Sequence, residues 1–571
     1  MKAKDKLNNG ITLVALVITI IILLILATIS IQSLTNTGIF KRAQEARNAM
    51  EKAEAEQAEM LNEYENELNK YTSGTAQVKT EWTGKVNKPK LMTGMTPIKF
   101  NEPTGDEKSN EGSTVKTTDG DTTWYDYDAK KWANAQTQDG SMWVWIPRFA
   151  YRVNITTKTF DVVFLEDTTD YYYENGERKQ AKRQKNENDT VDTTTGYTVH
   201  PAFTDESSIN YANGGWDKEL TGIWVSKFEA GYASGNNNAE VKESSAKYTQ
   251  AYLWVSGAEK GDSDGTATAR NYLDGEYGVK SGDSYIFKNG TAPSIKYPTF
   301  QGLTYSMNYI NYNDSFNISK ALTEDGNIYG FKSSLTDSHM MKSSEWGAVA
   351  YLSQSKYGLN GTNIYINNVN LSNTSQSIYA VTGCSGTTAD ASAIATTIEE
   401  INNRTTSEIY VWTQKSGTKA STTGTIYGIY DMSGGTWENI SALVNNNHSN
   451  LISRGQSLLN TLNNGKSSKY VTVYPHNASI DKGGASIDTA SVANWTANTK
   501  IYGDGIRETS TSGTGKTSWH QDLSAFPGAN LPFLIRGGCI WDLEGAGLFY
   551  FSYNDSYGYF VGGFRSVLVE Q

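Results

Sequence analysis

Two cysteines, Cys384 and Cys539, and five histidines, His200, His339, His448, His476 and His520, are the residues best suited to nucleophilic, redox or metal chemistry. Their spacing favours none of these. No two histidines stand four apart, the separation that sets two imidazoles on one helix face around zinc. Two cysteines cannot build a disulfide framework; one bridge between them and two free thiols both stay open. Asp542 and Glu544 have the side chains that acid–base work needs, but no nucleophile stands beside them. The sequence predicts no catalytic residue, no metal and no cofactor.

Recognition chemistry, in contrast, is concentrated. The stretch RGGCIWDLEGAGLFYFSYNDSYGYFVGGFR runs from Arg536 to Arg565. Eight of the 22 residues from Cys539 to Phe560 are aromatic and none is Lys or Arg, in a chain that is 12% aromatic. Trp and Tyr supply large contact area at little rotamer cost, while Ser, Gly and Asn adapt their hydrogen bonds to a partner. Trp541, Tyr553, Tyr557 and Tyr559 are the candidate anchors. Leu548, Phe549, Phe551 and Phe564 are expected to turn inward, and Trp541 has either option. SYNDSYGY is too polar and too rich in tyrosine for core, because a phenol prefers a wet hydroxyl. A hairpin that only closes the core is the alternative reading of the whole stretch.

The elements that must position this stretch can be read around it. FLIRGG predicts a strand and GGFRSVLV a returning strand, bracketing an irregular excursion at one sheet edge and bringing Arg536 near Arg565. SMWVWIPRFAYRVNI, KTFDVVFLED and TGIWVSKFEAGY alternate with β-branched and aromatic residues and predict strands. MKSSEWGAVAYLSQSKYG predicts a helix. Ser343 or Ser344 caps it, Glu345 sits in its first turn, and Trp346, Val349, Ala350 and Ser353 share one face. Gly358 suits the left-handed position that ends a helix. TGTIYGIYDMSGGTWENIS turns at Gly428 and again at Gly434–Gly435. Residues 71–140 are polar and predict a linker with a few short strands.

At 571 residues, with 52 Gly, 10 Pro and 14 Trp, the chain reads as strand-and-turn material with enough aromatic residues for a core. A net charge of −11 argues against a general nucleic-acid binder. From Ile11 to Ile31 no residue is charged. As a helix this run spans about 30 Å, the thickness of a bilayer core. Lys2, Lys4 and Lys6 precede it, which favours a cytoplasmic start and an extracellular head. Strong helix formers continue to about residue 70, so 11–70 predicts one transmembrane and stalk helix.

The N-terminus resembles a type IV prepilin: the basic leader 1–10 ends in Gly10, ahead of the apolar run. The resemblance implies cleavage between Gly10 and Ile11 by a prepilin peptidase, with the helix kept. The family usually carries Glu at the fifth mature position, where this chain has Ala15. A minor pilin or a membrane-held stalk fits that departure better than a major pilin, with pilin assembly machinery as a partner; a plain single-pass anchor is the alternative.

SSEWGAVAYL, YGIYDMSGGTWENIS and RGG…GFR occur in the order seen in the formylglycine-generating-enzyme-like branch of the C-type lectin fold. The implied fold is α+β: a C-type lectin-like (formylglycine-generating-enzyme-like) domain over 141–571 with long insertions, behind a pilin-like N-terminal helix. The enzymes of that family hold copper with two cysteines after Arg-Gly-Gly; here only Cys539 follows. Some relatives bind calcium at the Asp-Met turn, where Gly435 replaces an Asn, leaving Asp431 and Glu438; no metal is expected.

The block RGGxxWxxxGAGLFxF…GFR resembles, more narrowly, the variable proteins of diversity-generating retroelements, in which error-prone copying at adenines rewrites the 3′ end of a gene. The resemblance implies a variable region at 536–565. Its diversified, ligand-binding positions would include Cys539, Ile540, Asp542, Leu543, Tyr550, Ser552, Tyr553, Asp555, Ser556, Tyr557, Tyr559 and Phe560, joined by Trp541. Arg536, Gly537, Gly538, Gly563, Phe564 and Arg565 would be the fixed scaffold. The expected function is a membrane-anchored or pilus-associated binder of a protein or glycan on a cell or phage surface, not an enzyme. A surface-anchored formylglycine-generating-type enzyme and a structural minor pilin are the alternatives.

Overall fold

The computed structural model describes residues 86–104, 110–184, 195–205, 214–231, 278–281, 284–287, 297–307, 310–373, 377–396, 398–478, 480, 486–498, 500–556 and 561–571. All of them belong to one compact unit, Thr83–Gln571. The leader, the Gly10–Ile11 junction and the 11–70 helix lie outside the described residues. Among the described residues no helix is long and apolar enough to cross a membrane.

The unit is mixed helix and sheet. Fourteen strands build its two larger sheets: β1 (Thr96–Asn101), β2 (Ser113–Lys116), β3 (Asn134–Gln136), β4 (Met142–Pro147), β5 (Gly222–Ser226), β6 (Thr336–Met340), β7 (Trp437–Val444), β8 (Thr472–Tyr474), β9 (Thr514–Gly515), β10 (Ser524–Ala525), β11 (Phe533–Gly537), β12 (Gly547–Asn554), β13 (Gly562–Phe564) and β14 (Ser566–Glu570). The first sheet runs β6-β14-β5-β4-β3-β1-β2. The second runs β8-β7-β11-β12-β10-β9, and β13 pairs with β7 as well.

The first sheet is antiparallel throughout. In β4 all six residues, Met-Trp-Val-Trp-Ile-Pro, are buried, so side chains alternate into two covered faces. Trp145 meets Trp224 of β5 at a ring separation of 5.3 Å. β14 lies between β5 and β6, so the last strand of the chain completes a sheet begun by its first strands. The Lys90 Nζ to Glu570 ion pair, at 2.6 Å, closes the same circuit from outside.

The polar stretch expected as a linker supplies β1, β2 and β3, and Trp124 and Trp132 within it are fully buried. Its described part is head. Composition misleads because β2 is an edge strand whose residues are exposed or half-exposed, and because the buried indoles find backbone acceptors: Trp124 Nε1 donates to Asn134 O at 2.8 Å and Trp132 Nε1 to Tyr357 O at 2.9 Å.

Three helices matter for the site: α1 (Tyr312–Ala321), α2 (Ser343–Ser353) and α3 (Ile487–Ala497). α2 forms where the sequence predicts it, with different ends. Its N-cap is Lys342, not a serine: Glu345 Oε2 accepts from Lys342 N at 2.8 Å, and Oε1 meets His339 Nε2 at 2.9 Å. It stops at Ser353, before Gly358, which instead packs so close that a Cβ there would lie 2.3 Å from Ser353 O. All eleven residues are buried rather than one stripe, as expected of a helix enclosed on every side. Trp346 Nε1 ties it to β12 by donating to Leu548 O at 2.8 Å.

Candidate functional site

The site is built on two buried arginines. Arg565, between β13 and β14, grips Glu438 of β7 through Nε and Nη2 at 2.6 to 3.1 Å. It also donates to Ser226 O at 2.7 Å and Tyr430 O at 2.8 Å, so one guanidinium ties both sheets together. Arg536, in β11, donates to Asp504 O at 2.9 Å. Arg536 and Gly563 are both register partners of Glu438, on opposite sides of β7. The two ends of the terminal stretch therefore meet at one residue, in the sheet interior rather than at an edge. Phe564 is fully buried.

After Arg536 the chain leaves the sheet. Gly537 and Gly538 take φ of 83° and 76°, and a Cβ on Gly538 would lie 2.7 Å from the Cβ of Ala546. The excursion is a tight loop. Asp542 Oδ2 accepts from Trp437 Nε1 at 2.6 Å and from Cys539 N at 2.8 Å. Ile540 N donates to Gly435 O at 3.0 Å. Cys539 and Ile540 are buried against Ala380 and Val561, with Trp437 packed on them. Trp541 is 44% exposed, Asp542 and Leu543 are half-buried, and Glu544 is exposed and paired with Lys516 at 2.6 Å.

Burial, with Asp542 beside it, pushes the Cys539 thiol well above its ordinary range. Burial does the same to Cys384, and the two thiols are unlinked. A thiol held protonated is a poor nucleophile and a poor ligand for a soft metal, both of which need the thiolate. Asp431 and Glu438 are occupied by protein donors: Asp431 Oδ1 accepts from Asn367 Nδ2 and Gly383 N, each at 2.9 Å, and Glu438 holds Arg565. Among the described residues no group of three or more His, Cys, Asp or Glu is placed to hold a metal.

β12 then returns through the second sheet, between β11 and β10. Leu548, Phe549 and Phe551 are buried as the sequence predicts. Phe549 packs on Trp519 at 5.3 Å and Phe551 on Phe526 at 6.2 Å. Tyr550 and Ser552, on the other face, are buried too. Tyr553 is half-buried. Asp555 is half-buried and pairs with Arg454 at 3.5 Å. Ser556 is buried, and its Oγ accepts from Tyr312 N, at the start of α1, at 3.1 Å. Tyr557, Tyr559 and Phe560 lie outside the described residues.

Five of the expected contact residues are therefore not on an accessible face: Cys539, Ile540, Tyr550, Ser552 and Ser556. Between β11 and β10, the residues of β12 from Gly547 to Ser552 are buried on both faces, so alternation there separates two cores rather than core from solvent, and only Tyr553 is partly exposed. Trp541, Asp542, Leu543, Tyr553 and Asp555 remain as the accessible set. Trp437 went unflagged as a site residue; its signal was present in GTWENIS, but only pairing with Asp542 reveals its part. No family model matches the chain, and no curated protein matches it.

Proposed function

We propose that the chain is a cell-surface display protein whose head, a C-type lectin-like domain of the formylglycine-generating-enzyme-like branch, binds a protein or glycan on a cell or phage surface. A prepilin-like helix holds it in the membrane or at a pilus with the head outside. Its work is recognition, not turnover. The observation that carries this reading is Trp541: a large indole, 44% exposed, on a loop whose backbone Asp542, Gly435 and two left-handed glycines hold in one shape. An aromatic anchor on a pre-organised backbone loses little entropy on binding. The resemblance to retroelement variable proteins adds that accessible positions of 536–565 are rewritten between copies of the gene.

The test of binding is capture. The full chain, in lipid nanodiscs, is passed over an array of bacterial surface glycans and over tethered intact cells and phage particles. Saturable binding to at least one is expected; none across all three would count against the proposal. The diversification is tested separately on the downstream DNA, which is expected to hold a near-copy of the 3′ end differing at adenines, beside a reverse-transcriptase gene.

The burial of Tyr550, Cys539 and Ile540 favours a second reading, a minor pilin whose head is only structural. That protein would enter filaments and bind nothing in the capture experiment.

A further inference from the structure

Directly beneath the terminal loop lies a cluster of charge that does not balance. Glu229, Asp431 and Glu438 are each at most 2% exposed, and among the described residues the cation that acts on Asp431 and Glu438 is Arg565. Arg565 is spent on Glu438 and on two carbonyls. Asp431 has Asn367 and the Gly383 amide, with the Cys384 thiol facing it. Among the described residues, the charged neighbours that act on Glu229 are the carboxylates Asp431 and Glu438. Lys227, two residues before it, donates elsewhere, to Asn134 Oδ1, Ile426 O and Gly428 O at 2.7 to 3.0 Å. Burial, then those two neighbours, raise the Glu229 carboxyl well above its ordinary range.

Glu229 also touches the segment that holds the loop. One oxygen meets Ser306 Oγ; the other accepts from Thr436 N at 3.0 Å and from Thr436 Oγ1. Gly435 has φ of 75°, and a Cβ there would lie 2.8 Å from Glu229 Oε1. Gly435 O receives Ile540 N, and Trp437 Nε1 binds Asp542. Of the bonds that shape the loop, one thus starts from Gly435, packed against this carboxyl, and another from Trp437, the residue after Thr436, which donates to it. We propose that the proton on Glu229 is a latch: its loss loosens the turn from Gly434 to Trp437 and, with it, the loop that carries Trp541. With the proton in place, the acid shares a hydrogen bond with Ser306 and puts no third negative charge beside Asp431 and Glu438. Without it, repulsion acts across Gly435 and Thr436.

The latch concerns the loop of the proposed binding face, but its test uses no ligand, so either can fail alone. Hydrogen exchange of the peptide over Cys539–Ala546 is followed in the full chain in nanodiscs, against Glu229→Gln at each pH so that intrinsic exchange cancels. Wild type is expected to lose protection with rising pH, up to about tenfold per pH unit while one proton is being released, with Glu229→Gln flat. The same pH course in both would overturn the latch. In case that variant misfolds, Asp431→Asn removes one repelling neighbour and is expected to shrink the wild-type fall; an unchanged fall would also overturn it. In the infrared difference between wild type and Glu229→Gln, which cancels other protonated carboxyls such as Glu508, a protonated-carboxyl band is expected at neutral pH and lost as protection falls; no such band would contradict the proposal.

Discussion

At the scale of single residues the terminal stretch divides into frame and face. Asp542 belongs to the frame although it is half-exposed, because one oxygen satisfies both Trp437 Nε1 and Cys539 N. Asp542→Ala leaves both donors without that acceptor and is expected to cost about 1–3 kcal/mol in urea unfolding. Lys227→Met is expected to cost at least as much, about 2 kcal/mol or more, since two buried carbonyls and Asn134 lose their donor. Residue types were a fair guide to which stretch is special. They could not tell Tyr550 from Tyr553, neighbours in composition that differ in burial, because exposure on β12 depends on strands and helices far away in sequence.

At the scale of elements, the strand β4 and the helix α2 were legible because their signals are local: alternating Trp and Val, and Glu345 in a first turn ahead of Trp346, Val349, Ala350 and Ser353 at helical spacing. The ends of α2 were not, since Lys342 carries no side-chain acceptor and becomes the N-cap only because Glu345 folds back to its amide. The packing of α2 was equally hidden. A Cβ on Gly347 would lie 2.0 Å from Gly503 O. Gly347→Ala is therefore expected to destabilise by about 1–3 kcal/mol or more despite alanine's better helix propensity, read as a lower thermal midpoint. A neutral or stabilised variant would show that the 500–508 segment yields freely. β12 was missed for a related reason: it lies in what the sequence reads as an irregular excursion, and it becomes a strand through pairing with β11 and β10.

At the scale of the molecule, the last strand sits inside the first sheet, and Arg565 joins that sheet to the second. Such pairing is non-local, so the sequence could suggest strands but not their order, and a polar stretch that contributes β1 to β3 read as linker. The folded unit also buries carboxyls. Glu508 is pushed up to about 7 by burial and by Asp504, and Asp431 up to about 6 by burial. Each holds its proton more tightly folded than unfolded, so its contribution is complete below an ordinary carboxylate's range and lost as pH rises through about 6 to 7. His200, driven down to about 3 by burial, acts oppositely: stability falls as pH drops below the ordinary imidazole range of about 6.5. Glu508→Gln is expected to lose less stability between about pH 5 and 8 than wild type; an identical profile would mean Glu508 does not titrate there.

The central claim is that the loop at Trp541 meets the ligand while the stretch around it only holds that loop in place. The most direct measurement compares the full chain with Trp541→Ala on whichever glycan, cell or phage it captures, beside thermal unfolding of both. The account predicts binding weaker by about 30-fold, the equivalent of about 2 kcal/mol for an anchoring aromatic, with an unchanged thermal midpoint. Equal binding by the two proteins, or a loss matched by unfolding, would contradict it.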